Sequence, residues 1–136
     1  MKTTILIFGI ILINFFSFGQ AGPLTGKLVI NKGDISAKWG ERIVYEFNLK
    51  NSGSEPIDIQ KVTASCECQE VDKRNIQTIQ PGKTGIVRVY LNVDSKQLGN
   101  QVVNGVIEYD KSVIVETNGK KPKYQLYVRA NIRITN

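Results

Sequence analysis

The sequence contains no histidine, and it has only two cysteines, one methionine and one tryptophan. Without histidine, the chain lacks the most common general base and a frequent zinc ligand. Its one methionine is Met1, so no thioether from the rest of the chain can bind a soft metal. A glycine-rich phosphate loop and a Ser–His pair are also absent. These absences argue against an enzyme, and we expect no catalytic residues and no cofactor.

Residues 1–20 have the pattern of a signal peptide. Lys2 precedes an apolar run over residues 5–18, which is shorter than the roughly 20 residues that cross a bilayer. Small residues then allow cleavage after Gly19 or after Ala21. An uncleaved anchor is the alternative. No second apolar run follows, so we expect an exported protein, periplasmic or extracellular, with no membrane insertion after cleavage.

The remaining residues, 21–136, predict one all-β domain. In residues 42–50 apolar and polar side chains alternate, as in a strand with one buried and one solvated face. A change in the apolar phase near Gln60 and Lys61 predicts a β-bulge. About seven short strands separated by turn residues are typical of a two-sheet sandwich. The predicted strands lie at residues 28–30, 42–50, 57–64, 87–93, 102–109, 113–115 and 124–134.

A family resemblance rests on a series of motif residues: Tyr45, Phe47, Asn51, Gly53, Pro56, Ile57, Ile59, Val62, Ser65, Cys66, Cys68, Pro81, Gly82, Gly85, Thr117 and Asn118. Over residues 41–132 the chain resembles the exported bacterial domain-of-unknown-function family fifteen-seventy-three. The resemblance implies an immunoglobulin-like sandwich, related in shape to major sperm protein, pilus-chaperone and Hydin-type domains. It implies no activity. The family motif usually reads Ser-Cys-Gly-Cys-Thr, and here Glu67 and Gln69 replace its glycine and threonine.

The Cys-x-Cys motif is the one candidate site with chemistry. Cys66 and Cys68 would lie roughly 6.6 Å apart along a strand, near the upper limit for a disulfide, so a small bend could join them. A structural disulfide or thiol pair, a redox pair and a metal site all stay open. Two thiolates suit Cu(I), whereas structural zinc takes four ligands. The nearby acids Glu67, Glu70 and Asp72 would raise the thiol pKa values.

These observations favour a non-catalytic protein-interaction or structural module of the cell envelope, with an unknown protein as its partner. The alternative is a thiol redox or Cu(I)-handling protein that uses Cys66 and Cys68. We expect no nucleic acid, because a basic face with interleaved aromatics is missing. The one basic cluster, at residues 120–123, reads as a solvated hairpin tip. Tyr90 and Tyr127 fall on polar strand faces, where they could bind a partner or cover a sheet edge.

Overall fold

The computed structural model describes residues 22–136, so the predicted signal peptide at 1–20 lies outside the described residues. Within this range the chain forms ten β-strands, one short α-helix and two single 3₁₀ turns. None of the helical segments in this part of the chain is long and apolar enough to span a bilayer. The strands are β1 (Leu24–Thr25), β2 (Val29–Lys38), β3 (Arg42–Asn51), β4 (Ile57–Ala64), β5 (Gln69–Val71), β6 (Gln77–Ile79), β7 (Thr84–Asn92), β8 (Val102–Val103), β9 (Val106–Thr117) and β10 (Lys123–Thr135); the helix is α1 (Ser95–Leu98).

The strands form two sheets. The four-stranded sheet has the order β1-β3-β7-β5, and the six-stranded sheet has the order β2-β10-β9-β4-β6 with β8 paired to β9. Neighbouring strands are antiparallel except at one end of the larger sheet, where β2 runs parallel to the last strand, β10. A parallel pair needs a long connection, and here nearly the whole domain forms it.

The core lies between the two sheets and consists of the inward-facing side chains of alternating strands. On β3 these are Tyr45, Phe47 and Leu49, as the alternation in residues 42–50 predicts. The prediction of an all-β sandwich is therefore confirmed. The other fully buried strand residues include Ile59, Val87, Val89, Leu91, Ile107, Val113, Val115, Leu126, Val128 and Ile132.

One long strand stands where the sequence predicted two. β9 continues through the polar residues 110–112, because Tyr109 and Val113 are four residues apart and therefore face the same side. Asn104 and Gly105 have positive φ values of 52° and 77° and form the tight turn between β8 and β9. Gly105 falls inside the strand predicted at residues 102–109; in the structure it instead supplies the backbone conformation of this turn.

Short structural segments occupy residues 69–79, where the sequence predicted no strand. The chain there forms β5, a 3₁₀ turn at Lys73–Asn75 and β6. The Asn75 side chain accepts a hydrogen bond from the Arg88 N–H and donates one to the Arg88 carbonyl, each at 2.8 Å. The Asn75 amide thus makes the two backbone hydrogen bonds to β7 that a neighbouring strand would otherwise make at Arg88. The predicted bulge in β4 is confirmed by a register shift between Ile59 and Lys61.

Candidate functional site

The Cys-x-Cys segment forms a tight turn between the two sheets. It follows β4 of the larger sheet and leads into β5 of the smaller one, and the Gln69 N–H donates to the Cys66 carbonyl at 3.1 Å. Cys66 and Cys68 are joined by a disulfide, with their Cα atoms 5.1 Å apart. The turn shortens the distance expected along an extended strand and brings it inside the usual disulfide range.

The two cysteines of this turn differ in exposure. Cys68 is completely buried, whereas Cys66 is half-buried and packs at the margin of the core. The backbone N–H of Cys68 donates to Cys66 Sγ at 3.1 Å, and Cys68 Sγ lies 3.7 Å from the Tyr109 hydroxyl. Cys66 therefore keeps some exposure to solvent, whereas Cys68 lies among core side chains.

The Tyr109 hydroxyl lies beside Cys68, and the side chain of Gln69, the next residue in the chain, is also buried. Burial raises the pKa of Tyr109 above its usual range, and the Tyr45 phenol adds to this shift. Gln69 is only 7% exposed, yet neither its Nε2 nor its Oε1 reaches hydrogen-bond distance of a partner within residues 22–136. Such a buried amide is uncommon in native structures. The disulfide is thus followed in the chain by a buried amide whose hydrogen-bonding capacity is not filled.

Two of the acids near the cysteines, Glu70 and Asp72, pair with arginines. Glu70 forms an ion pair with Arg42 at 2.7 Å, and the Arg74 guanidinium holds the pKa of Asp72 well below its usual range. Both carboxylates lie beside an arginine, which weakens the electrostatic effect expected on the thiols. In the described part of the chain, no three His, Cys, Asp or Glu side chains are placed to hold a metal ion together.

Glu67 occupies the position where the family motif has glycine. Its side chain is exposed, and its backbone φ is not in the positive region that favours glycine. The turn therefore accepts a glutamate without backbone strain.

A second candidate site covers the outer face of the four-stranded sheet; we call it the arginine face and define it by Arg42, Val44, Glu46, Arg88 and Tyr90. Val44 lies opposite Tyr90 and Glu46 opposite Arg88 in the register of β3 and β7. The Arg42 guanidinium carbon is 4.0 Å from the centre of the Tyr90 ring, and Arg88 pairs with Glu46 at 2.8 Å. The result is a solvent-facing layer of apolar and paired charged groups.

The predicted aromatic and basic positions have different outcomes. Tyr90 is half-buried on the arginine face, and its hydroxyl donates to Asp72 at 3.0 Å. Tyr127 lies on the outer face of the six-stranded sheet with the Arg129 guanidinium 5.4 Å from its ring centre. Lys120 lines an open groove of about 380 Å³ at one end of the sandwich, and Lys123 lies 3.8 Å from Glu116.

A protein-family profile matches most of the described residues. The profile of the family described as "Protein of unknown function (DUF1573)" matches residues 25–132. The chain belongs to this family. The resemblance in the sequence is therefore confirmed. No curated protein matches the sequence.

Solved structures show the same fold as this DUF1573 domain. A protein of unknown function from Porphyromonas gingivalis W83 is similar with a TM-score of 0.62 and 18% identity, over 87% of this chain and 51% of that chain. The ASH / PapD-like domain 7 of human CEP192 is similar with a TM-score of 0.56 and 11% identity, over 100% and 97% of the two chains. The fold is therefore an immunoglobulin-like sandwich.

The fold also occurs within longer chains. The Vibrio cholerae VesB protease is similar with a TM-score of 0.55 and 14% identity, over 82% of this chain and 32% of the protease. This chain spans about half of the Porphyromonas protein and about a third of VesB. At these identities the likeness shows the fold alone.

The sequence identified the cysteine pair but missed two groups of residues. Gln69 was noted only as a departure from the family motif, and Tyr109 only as the end of a strand. Their position beside Cys68 depends on packing between sheets, and no local pattern indicates it. The arginine face had a weak local signal, since Arg42, Glu46, Arg88 and Tyr90 all fall on the polar phase of strands with buried opposite faces.

Proposed function

We propose that this domain is a non-catalytic protein-interaction module of the cell envelope, and that its partner binds the arginine face. Arginine and tyrosine are enriched at the centres of protein interfaces, and here Arg42 stacks on Tyr90 next to an exposed Val44. This stacked pair is the observation that carries the proposal. Export by the segment at residues 1–20, to the periplasm or beyond the cell, is part of the same proposal.

The arginine face suits this role better than the edge strands β1, β2, β5 and β6 do. Three edge strands, β1, β5 and β6, have only two or three residues each. The long edge strand β2 carries Lys32 and Lys38, and its register shifts beside Gly33, where φ is 66°. Short length, lysines and bulges are the features that keep an edge from adding another strand.

Another protein fits this face better than a second copy of the chain. The sequence has a net charge of +6, so two copies repel each other at long range. The occurrence of the fold as one part of longer chains, VesB among them, supports a role as an accessory module rather than as a catalytic unit.

Site-specific photo-crosslinking tests this proposal with a matched pair of positions. Val44 on the arginine face and Ile114 on the outer face of the six-stranded sheet are both 38% exposed and both point away from the core. A photoreactive phenylalanine analogue at position 44 is expected to capture one specific envelope protein, and the same analogue at position 114 is not. Tyr90→Ala should reduce the yield at position 44 about tenfold or more, as hot-spot truncations do.

Two results would contradict the proposal. One is equal capture of the same proteins from positions 44 and 114, and the other is capture of a second copy of this chain alone. Urea unfolding of each variant shows that its fold is intact.

Thiol exchange is the second candidate function, favoured by the half-buried position of Cys66 in a turn at the margin of the core. Cu(I) handling would use the same two sulfurs in their reduced form and remains a prediction. Loss of the disulfide under dithiothreitol without denaturant supports exchange, and retention of Cu(I) by the reduced protein against a competing chelator supports copper handling.

A further inference from the structure

We propose that the Cys66–Cys68 disulfide reacts with external thiols only at Cys66, and that Cys68 is the leaving sulfur, received by Tyr109 and Gln69. This inference rests on the thiol-exchange function proposed above as the second candidate. It assigns a different role to each cysteine and adds two positioning residues that do not belong to the Cys-x-Cys motif.

Access decides which sulfur is attacked. A thiolate approaches a disulfide along the line of the S–S bond, from the side opposite the leaving sulfur. For attack on Cys66 this line starts at the half-buried end of the pair, whereas for attack on Cys68 it starts inside the core. The rate of exchange depends on access as well as on thiolate chemistry.

The leaving sulfur needs a donor, and the Tyr109 hydroxyl is the one placed next to it in the structure. In the disulfide, Cys68 Sγ is a weak acceptor, and the Tyr109 hydroxyl lies 3.7 Å from it. Once the bond breaks, Cys68 carries a negative charge, and a hydrogen bond to a charged group is stronger than one to a neutral group. The Gln69 amide lies next in the chain, is buried and has no partner within residues 22–136. Reduction therefore creates a charged acceptor for the Tyr109 hydroxyl and for the Gln69 amide, which is unpaired in the oxidised protein.

The exchange proceeds in two balanced steps, with a dithiol as the reductant. A thiolate of the dithiol forms a new S–S bond with Cys66 Sγ, and the electron pair of the old bond leaves on Cys68 Sγ. The second thiolate of the dithiol then attacks the sulfur that is bound to Cys66 and releases Cys66 as a thiolate. The protein gains two electrons, the dithiol becomes a cyclic disulfide, and its two thiol protons pass to the solvent or to the protein sulfurs. The Cys68 N–H, 3.1 Å from Cys66 Sγ, is placed to stabilise the Cys66 thiolate.

Adduct mapping on the wild-type protein tests the direction of attack. The oxidised protein is treated with glutathione, quenched in acid and analysed by peptide mass spectrometry. The expected mixed disulfide is on Cys66. As a second readout, the Cys68→Ser variant should react with dithiobis(nitrobenzoic acid) at least about ten times faster than Cys66→Ser, because only Cys66 is accessible. Glutathione on Cys68, or equal rates for the two variants, would overturn the assignment.

Kinetics of reduction test the two receiving groups. Gln69→Leu and Tyr109→Phe should each lower the rate constant for reduction by dithiothreitol about tenfold, since each removes a donor to the leaving thiolate. The control is Tyr124→Phe, because Tyr124 and Tyr109 are both 2% exposed, and the Tyr124 hydroxyl accepts from the Leu24 N–H at 3.2 Å. Rates equal to that of the control would overturn the roles of Gln69 and Tyr109.

The same experiments separate failure of this inference from failure of thiol exchange itself. If dithiothreitol reduces the pair only after unfolding in urea, the thiol-exchange function is wrong, and this inference falls with it. If native reduction occurs but the adduct is on Cys68, only the direction proposed here is wrong. Urea unfolding of the Gln69 and Tyr109 variants shows that slower reduction does not reflect a changed fold.

Discussion

At the scale of single residues, buried polar side chains connect segments of this sandwich that are far apart in the sequence. Asn51 is completely buried at the end of β3. Its Nδ2 donates to the carbonyls of Glu55 and Ile79 at 2.7 and 2.9 Å, and its Oδ1 accepts from the Gly53 N–H at 3.0 Å. One amide thereby fixes the turn after β3 and ties it to β6.

We predict that Asn51→Ala lowers the free energy of unfolding by about 2–4 kcal/mol, because it leaves buried carbonyls and an N–H without a partner. Asn48→Ala is the control on the same strand, where the side chain is exposed and a change within about 0.5 kcal/mol is expected. Urea unfolding measures both. A similar loss for the two variants would show that the Asn51 hydrogen bonds do not stabilise the fold.

The sequence indicates which residues are apolar and buried, but not which polar residues join them. Tyr45, Phe47 and Leu49 follow from alternation alone. Asn51 reads as the start of a polar turn, and only the approach of Ile79, 28 residues away, explains its burial. The same holds for Gln69, since the chain turns at Cys66 and Cys68 before it enters the second sheet.

At the scale of elements, β6 packs against β7 at Gly85, a position of β7 that has no side chain. A Cβ atom on Gly85 would lie 2.5 Å from Cδ1 and 2.7 Å from Cγ1 of Ile79. Gly85 is therefore required by packing between the strands, and its φ is not positive. The family motif includes this glycine, and the structure gives the physical reason for it here.

We predict that Gly85→Ala destabilises the protein by about 1–3 kcal/mol through overpacking. In the background of Ile79→Val, which removes Cδ1, Gly85→Ala should lower the free energy of unfolding by less. A double-mutant cycle of urea midpoints gives the coupling between the two positions. Thr84→Ala, at the exposed neighbouring position, is the control. Equal costs of Gly85→Ala in both backgrounds would contradict this account of the contact.

Element boundaries were predictable only where the local pattern is unambiguous. The bulge near Gln60 and Lys61 was correctly predicted, because a bulge changes which positions of a strand are apolar. β9 was divided in two, since Asp110, Lys111 and Ser112 interrupt its apolar phase without ending its pairing to β10. The three-residue strands β5 and β6 are too short for alternation to identify them.

At the scale of the whole molecule, the sandwich was predictable, and its sheet order was not. Alternation shows that each long strand has one buried face, which two packed sheets satisfy. The parallel pairing of β2 with β10 joins residues about 100 positions apart, and no local signal specifies it. The family resemblance indicates the fold, and with it this strand pairing, only by analogy.

The closed core also predicts an alkaline limit to stability. Burial raises the pKa of Tyr45 to about 12, and it also raises the pKa values of Tyr109 and Tyr124. An unfolded tyrosine loses its proton near pH 10, so between pH 10 and 12 the unfolded state binds fewer protons than the folded state. The free energy of unfolding must then fall as pH rises through this interval.

We predict that Tyr45→Phe has a shallower decline of unfolding free energy between pH 10 and 12 than the wild type, by up to about 1.4 kcal/mol per pH unit. At neutral pH the variant should be weaker by about 1 kcal/mol, because the hydrogen bond from Tyr45 to the Arg129 carbonyl is lost. Urea unfolding at fixed ionic strength measures the slope. Parallel slopes for the two proteins above pH 10 would contradict the assignment to Tyr45.

The function proposed for the whole molecule depends on one face of one sheet. The most direct measurement is the photo-crosslinking yield from position 44 relative to position 114, in envelope fractions of cells that produce the full chain. These positions are matched in exposure and differ in the sheet to which they belong. The account predicts one partner protein captured from position 44, lost with Tyr90→Ala and absent from position 114. Indistinguishable capture from both positions would contradict it.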